Sequence, residues 1–249
     1  IYTLSLHDAL PISSWGVAYK LALALSRSCD IPRSLITEVL ELVAVGTIAD
    51  IMPLVDENRS LVKYGLRLMR LGFKNKGLRR LTEMAGMDYS TMDSTNVAFA
   101  IVPRINAAGR LGDASLGVEM LLSDDDDDIE RLCTKLMENN KRRRELQREA
   151  YENCIGTAER ELERGDFIMI EAESAHEGIL GIVAGNLKER FNRPVVIVSP
   201  SDGQLKGTGR SIDGIDLYAL LNKHADCFVK FGGHRTQLEI GRASCRERV

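Results

Sequence analysis

Aromatic residues make up only 5% of the 249-residue sequence, with a single tryptophan. A surface that holds nucleic acid mainly by stacking on its bases needs more of them. Any such grip must therefore be directed at phosphates and weaken with salt. No apolar run approaches the roughly 18–20 residues that span a bilayer, and no signal-peptide pattern opens the chain. The five cysteines (Cys29, Cys133, Cys154, Cys227, Cys245) are odd in number and never form a Cys-x-x-Cys pair. That argues against a disulfide framework or a zinc site, and for a reduced, cytoplasmic setting. The four histidines (His7, His176, His224, His234) never stand side by side. A net charge of −3 gives no global basic signature, so contact with nucleic acid needs a local patch. With 44% hydrophobic and 28% charged residues, the length suits one or two globular domains.

The two ends are of a different kind from the rest. Residues 3–12 (TLSLHDALPI) and 240–249 (IGRASCRERV) can be back-translated into strands that are reverse complements of each other apart from the terminal overhangs. The shared strand resembles a common short-read sequencing adapter. Residues 1–12 and 240–249 are therefore read as translated adapter, which sets His7 and Asp8 aside as candidates for chemistry. The stretch between them is expected to be a fragment at both ends.

Between these ends, residues 15–26 place Val17, Ala18, Leu21, Ala22 and Leu25 at helical spacing. Residues 34–45 repeat the pattern with Leu35, Val39, Leu42 and Val43, after Pro32 and with Ser34 as the expected cap. Gly46 should interrupt this helix and Pro53 close the segment. Asp56 reads as the cap of the next amphipathic helix, which carries Leu61, Tyr64 and Leu68. Further helices are expected near 78–85 and 114–122.

Residues 124–164 open on five aspartates, which suits a helix N-terminus through the macrodipole. Apolar residues recur at Ile129, Leu132 and Leu136, and again at Leu146, Ala150, Cys154, Ala158 and Leu162. The KRRRELQ stretch between them is polar all round, so the pattern predicts a long helix with apolar ends bridging two bodies. The acidic run and the arginines 142–144 read as solvated faces. After Gly165 the pattern becomes α/β, with strands at 167–170 and 195–198 around a helix at 179–191. A third strand at 205–210 ends in glycine-rich sequence. The expected fold is α/β, two domains joined by a long helix.

Four clusters carry candidate chemistry. VAVGTIADIMPL (43–54) contains one charge, Asp50, and a lone carboxylate buried in apolar sequence needs a partner. PRINAAGRLGDA (103–114) sets Arg104, Asn106 and Arg110 around small residues. Spaced guanidiniums without an acid between them suit a phosphate, although pairing with acids such as Asp113 is equally open. HEGILGIVAGNLKER places His176 before a helix whose free N–H groups could hold an anion, or where His176 is simply a cap. KGTGRSIDG and the later FGGH bring Arg210, Ser211, Gly232, Gly233 and His234, where small residues let backbone donors approach a phosphate.

The order GVAYKL, VAVGTIADIMPL, ENRSLVKYGL, PRINAAGRLGDA, a long charged helix, HEGILGIVAGNLKERFNRPVVIVS, KGTGRSIDG and FGGH resembles the RecJ family. These are 5′→3′ exonucleases of the DHH/DHHA1 phosphoesterases, specific for single-stranded DNA. The resemblance implies that residues 13–123 are the C-terminal part of a DHH domain. It makes 124–164 the connecting helix and 165–239 an incomplete DHHA1 domain. It implies Asp50 as the last carboxylate of a two-metal Mn²⁺ or Mg²⁺ site, with hard oxygen ligands offsetting the desolvation of the acid. Arg104, Asn106 and Arg110 would line the path of the strand. Arg210, Ser211, Gly232, Gly233 and His234 would close over it, with His176 near that surface. Two metals would activate a water for in-line displacement, releasing 5′-mononucleotides in DNA repair and recombination. Implied partners are single-stranded DNA and, for the parent enzyme, a single-strand-binding protein or a helicase.

The Asp-x-Asp and Asp-His-His elements of the DHH superfamily are missing, so this chain is expected to be inactive by itself. Smaller departures are Trp15 in place of a small residue, Ala175 in place of an aromatic, Glu177 in place of proline, and Thr208-Gly209 in place of Ser-Ala. Two other functions remain on the page. One is a DHH/DHHA1 phosphodiesterase for short oligonucleotides or cyclic dinucleotides, against which the long helix and RINAAGR count. The other is a non-catalytic, RecJ-like replication scaffold.

Overall fold

The computed structural model describes residues 12–29, 31–173, 175–201, 204–225 and 228–243; His7 and Asp8 lie outside them. The chain divides into two compact units, Ile1–Asn140 and Lys141–Val249.

The described part of the first unit is helical: α1 Ser14–Ser28, α2 Arg33–Glu38, α3 Leu40–Ala49, α4 Asp56–Arg70, α5 Lys76–Met84, α6 Ser94–Asn96, α7 Val102–Leu111, α8 Ser115–Leu122 and the first part of α9, Asp126–Arg164. Met69, Leu78, Leu81, Met92, Ile101, Met120 and Leu136 fill its core. Helices α3 and α4 cross closely at Gly65, where a Cβ would come within 2.3 Å of the Leu40 carbonyl oxygen.

Three local expectations are corrected. The helix expected over 34–45 is two helices that meet at Val39, and Pro32, not Ser34, stands at the N-cap. Gly46 does not interrupt α3. The Trp15 indole lies against it, 2.2 Å from where a Cβ would sit, so only glycine fits under the ring and the helix continues to Ala49. Asp56 is the first residue of α4, not its cap; Val55 takes that place with no side-chain bond. The Asp56 carboxylate instead sits in the first turn, where the helix dipole favours it.

Pro103 lies near the start of α7 and has no N–H to give to the preceding turn. The backbone meets this with one π-helical turn, Val97–Ile101, so that Ser94–Leu111 stays helical throughout.

The second unit contains the remainder of α9 and then β1 Ile168–Glu171, α10 Glu177–Phe191, β2 Val195–Ser201, β3 Gln204–Arg210, α11 Leu217–Asn222, β4 Phe228–His234 and β5 Gln237–Ala243. Its sheet has the order β1-β2-β3-β5-β4. β1 and β2 are parallel and joined through α10, while the other pairs are antiparallel. Alternation sends Ile168, Ile170, Val195 and Ile197 to one face, packed with Ala150, Cys154 and Ala158 of α9 and with α10. Val196, Val198, Leu238 and Ile240 go to the other face, around Leu217.

The FGGH segment is the end of strand β4. A strand with two glycines and Lys230 has little intrinsic β signal; pairing with β5 defines it. Residues 240–243, inside the stretch with adapter-like sequence, form the end of β5, and Ile240 is only 3% exposed there.

Candidate nucleic-acid interface

The strand register assembles a polar surface on the second unit. Arg210, Gln237 and His234 are direct partners across β3, β5 and β4, so they form one row. Two residues along, and therefore on the same face, lie Thr208, Glu239 and Gly232. The Arg210 guanidinium is fixed within this row. Its Nη1 donates to Thr208 Oγ1 at 2.8 Å and to the Gly209 carbonyl at 2.9 Å, and Glu239 Oε1 stands 3.6 Å away. The Thr208 hydroxyl lies 3.0 Å from the same Glu239 oxygen. From α10, Gly181 makes room for the guanidinium: a Cβ there would sit 2.6 Å from Nη2.

The two glycines of FGGH have different uses. Gly233 has φ +150° and presses on β5, where a Cβ would meet the Gln237 carbonyl oxygen at 2.4 Å. Gly232 faces open space. His234 is exposed at the strand end. Ser211 lines a cleft with Arg210 and Gln237, but its own polar groups are used within the loop. It is 4% exposed, its hydroxyl donates to the Ile215 carbonyl at 3.0 Å, and its N–H donates to the Thr236 carbonyl at 2.8 Å. It closes the loop after β3.

His176 is the N-cap of α10, and its Nδ1 accepts the Gly178 N–H at 3.1 Å. The acceptor nitrogen is unprotonated, so any proton of the neutral ring sits on Nε2. The ring lines a cleft of about 530 Å³ with Arg142, Glu149, Asn153 and Glu171.

In the first unit, Asp50 is the C-cap of α3, and it is exposed, not buried. Its carboxylate has no hydrogen bond or ion pair among the described residues. The expectation of a buried acid fails because the apolar neighbours before it face the core along α3, while Ile51 after it points outward at 90% exposure. Ile51 also has φ +53°, a rare backbone state for a β-branched residue.

The α7 cluster is divided. Asn106 and Arg110, four apart on one helix face, are both exposed. Arg104 is half-buried and turned another way, with Nη1 on the Ala100 carbonyl at 2.5 Å and Nε 3.0 Å from Met137 Sδ.

Among the described residues, no group of three or more His, Cys, Asp or Glu could hold a metal ion. Asp50 offers one hard oxygen donor, and one carboxylate does not fit a two-metal site. Sequence reasoning missed Thr208, Gln237 and Glu239. The spacing of T-G-R puts Thr208 on the face of Arg210, a readable signal. The contribution of β5 depends on strand pairing and has no local signal.

Comparison with known proteins gives consistent relatives. Residues 165–238 match the DHHA1 domain family. The single-stranded-DNA-specific exonuclease RecJ of Dickeya dadantii is 38% identical over 88% of this chain and 41% of its own length. RecJ of Escherichia coli is 37% identical over the same shares. The chain thus spans about two-fifths of these curated relatives. Among solved structures, RecJ of Thermus thermophilus in complex with Mg²⁺ superposes with a TM-score of 0.83 at 33% identity, covering 94% of this chain and 36% of that one. A RecJ exonuclease bound to manganese gives 0.81 at 34% identity, covering 96% and 59%.

Proposed function

Because the chain belongs to the RecJ family, we propose that it is the strand-gripping segment of a metal-dependent exonuclease that shortens single-stranded DNA from the 5′ end to 5′-mononucleotides. The observation that carries this reading is 38% identity to a RecJ exonuclease across 88% of the chain. The row of Arg210, Gln237 and His234 supports it. It offers donors along one line, and open Gly232 lets a sugar-phosphate backbone come close. Asn106 and Arg110 form a second exposed pair of the same chemistry on α7. Asp50 would supply one oxygen ligand toward a Mn²⁺ or Mg²⁺ ion, whose Lewis acidity is the chemistry such a site contributes. Further carboxylates have to come from elsewhere in the protein, so the 249-residue chain alone binds strands and does not cut them. Single-strand-binding protein and helicases are the partners this role calls for.

The test begins with the locus. Sequencing outward from both ends should give an open reading frame in which Asp-x-Asp and Asp-His-His precede Ser13. The full-length product should release mononucleotides from 5′-phosphorylated single strands with Mn²⁺, and Asp50→Ala should abolish release without unfolding the protein. A full-length frame lacking those carboxylates, or full activity in Asp50→Ala, overturns the reading.

A further inference from the structure

Helix α4 turns Arg59, Lys63 and Arg70 to one side. At 3.6 residues per turn the three fall within about 40° of arc and span about 16 Å. Between them Val62 and Leu66 form an apolar floor, continued by Leu54 from the loop that follows Asp50. With Ser94 these residues line a cleft of about 330 Å³ that no acidic side chain enters.

The cations of the unit are of two kinds, those paired with a carboxylate and those, among them Arg27, Arg33, Arg67 and Lys135, without one among the described residues. Lys20, Lys76, Arg79, Arg80 and Arg131 each pair with a carboxylate. Arg59 and Lys63 have no hydrogen-bond or ion-pair partner for their side chains among the described residues. Arg70 is held in place by Nε donating to the Met92 carbonyl at 2.7 Å, which leaves its other N–H donors available. The acids of α4 are Asp56 and Glu57 in its first turn, and Glu57 is taken by Lys20 at 2.6 Å. Like charges at i and i+4 weaken a helix. An arrangement of this kind gains when an anion bridges the charges.

An apolar floor with a cationic rim matches a nucleotide unit, its sugar and base edge against Leu54, Val62 and Leu66 and its phosphates on the rim. We propose that the α4 cleft is a phosphodiester-binding track for single-stranded DNA, distinct from the α7 pair and the β3–β5–β4 row. It rests on the strand-gripping reading and extends the strand's path to a third surface.

The experiment is fluorescence anisotropy of a labelled oligothymidylate with the 249-residue chain, titrated between about 50 and 200 mM salt. Arg59→Gln/Lys63→Gln removes two phosphate contacts. It should flatten the slope of log K against log salt by about 1.4 and lower affinity about 20-fold near 0.1 M salt. Arg59→Lys/Lys63→Arg should retain both slope and affinity. Arg148→Gln/Arg164→Gln removes the same charge from arginines already paired with Glu152 and Glu161, and should leave the slope unchanged. All the side chains replaced are exposed, so the urea midpoints should agree. Wild-type slope and affinity in the Arg59/Lys63 glutamine variant overturn the track and leave the strand-gripping reading intact. An equal loss in the Arg148/Arg164 variant overturns the track in favour of net charge. Failure of the wild-type chain to bind the oligonucleotide overturns both.

Discussion

Gly181→Ala separates two effects that usually run together. In α10, alanine is favoured over glycine by about 1 kcal/mol. Its methyl would lie 2.6 Å from Arg210 Nη2 and 3.5 Å from Cζ, so the guanidinium must leave its seat. That gives up the bonds to Thr208 Oγ1 and the Gly209 carbonyl, at 2.8 and 2.9 Å. Solvent takes over part of this hydrogen bonding, because the side chain is one-fifth exposed, which leaves a loss of about 1–2 kcal/mol. The net change should lie between neutral and about 1 kcal/mol destabilising. In an Arg210→Ala background the collision is gone, since the next neighbour, Thr208 Oγ1, is at an ordinary 3.7 Å. There Gly181→Ala should stabilise by about 1 kcal/mol. Urea unfolding of the four proteins gives the coupling, expected at about 1–2 kcal/mol. An identical effect of Gly181→Ala in both backgrounds would refute the claim that Gly181 exists to seat Arg210.

Gly233→Ala should cost several kcal/mol, because its Cβ would meet the backbone of β5, which cannot yield as a side chain does. Gly232→Ala should change stability by less than about 1 kcal/mol but weaken oligonucleotide binding; thermal melts and anisotropy together distinguish the two. Glu41 is wholly buried, accepts the Lys74 and Asn75 N–H groups at 2.8 and 3.1 Å, and has its pKa raised, chiefly by desolvation. A raised carboxyl pKa means that the folded state holds the proton more tightly. Its stabilising contribution is therefore full below the unfolded value near 4.5 and is lost as pH rises through the folded value. Urea midpoints should show this slope in the wild type and lose it in Glu41→Gln. Ile51→Asn should stabilise the first unit by about 1 kcal/mol, because asparagine tolerates the left-handed state and little is lost from a side chain that is already 90% exposed. A destabilisation of that size would show that Ile51 has a packing role.

Much of the fold was legible because it is periodic. The stripes Ile129–Leu132–Leu136 and Ala150–Cys154–Ala158 fix α9, and Ile168, Ile170, Val195 and Ile197 alternate as buried strands do. What was not legible depends on contacts remote in sequence. Gly46 looks like a helix break until Trp15 is laid over it. Phe228–His234 has no strand pattern of its own until Gln237–Ala243 pairs with it. Arg104, Asn106 and Arg110 look like one cluster, yet an even step of two residues along a helix sends Arg104 to a different side from Asn106. The use of the Ser211 hydroxyl by the turn after β3 has no signal in the sequence either.

Asp50 shows how a site residue can be singled out for a reason that fails. Burial was the argument for a partner, and Asp50 is exposed. An exposed carboxylate needs no partner for stability, since water solvates it. What is unusual is its setting. It ends a helix whose other side is packed in the core, next to a β-branched residue held at φ +53° and almost fully in solvent. Asn58 fixes the far end of the same loop, its Nδ2 donating to the Pro53 carbonyl at 3.1 Å while its Oδ1 accepts the Ser13 N–H. Thr47, one turn before Asp50, joins that polar knot through Ser13 at 2.7 Å. Strain at Ile51 and buried anchoring at both ends hold the carboxylate at a set place on the surface, without a partner among the described residues. The proposed role of Asp50 as a cation ligand would use such a fixed, exposed carboxylate, whereas burial, the reason the sequence suggested, plays no part.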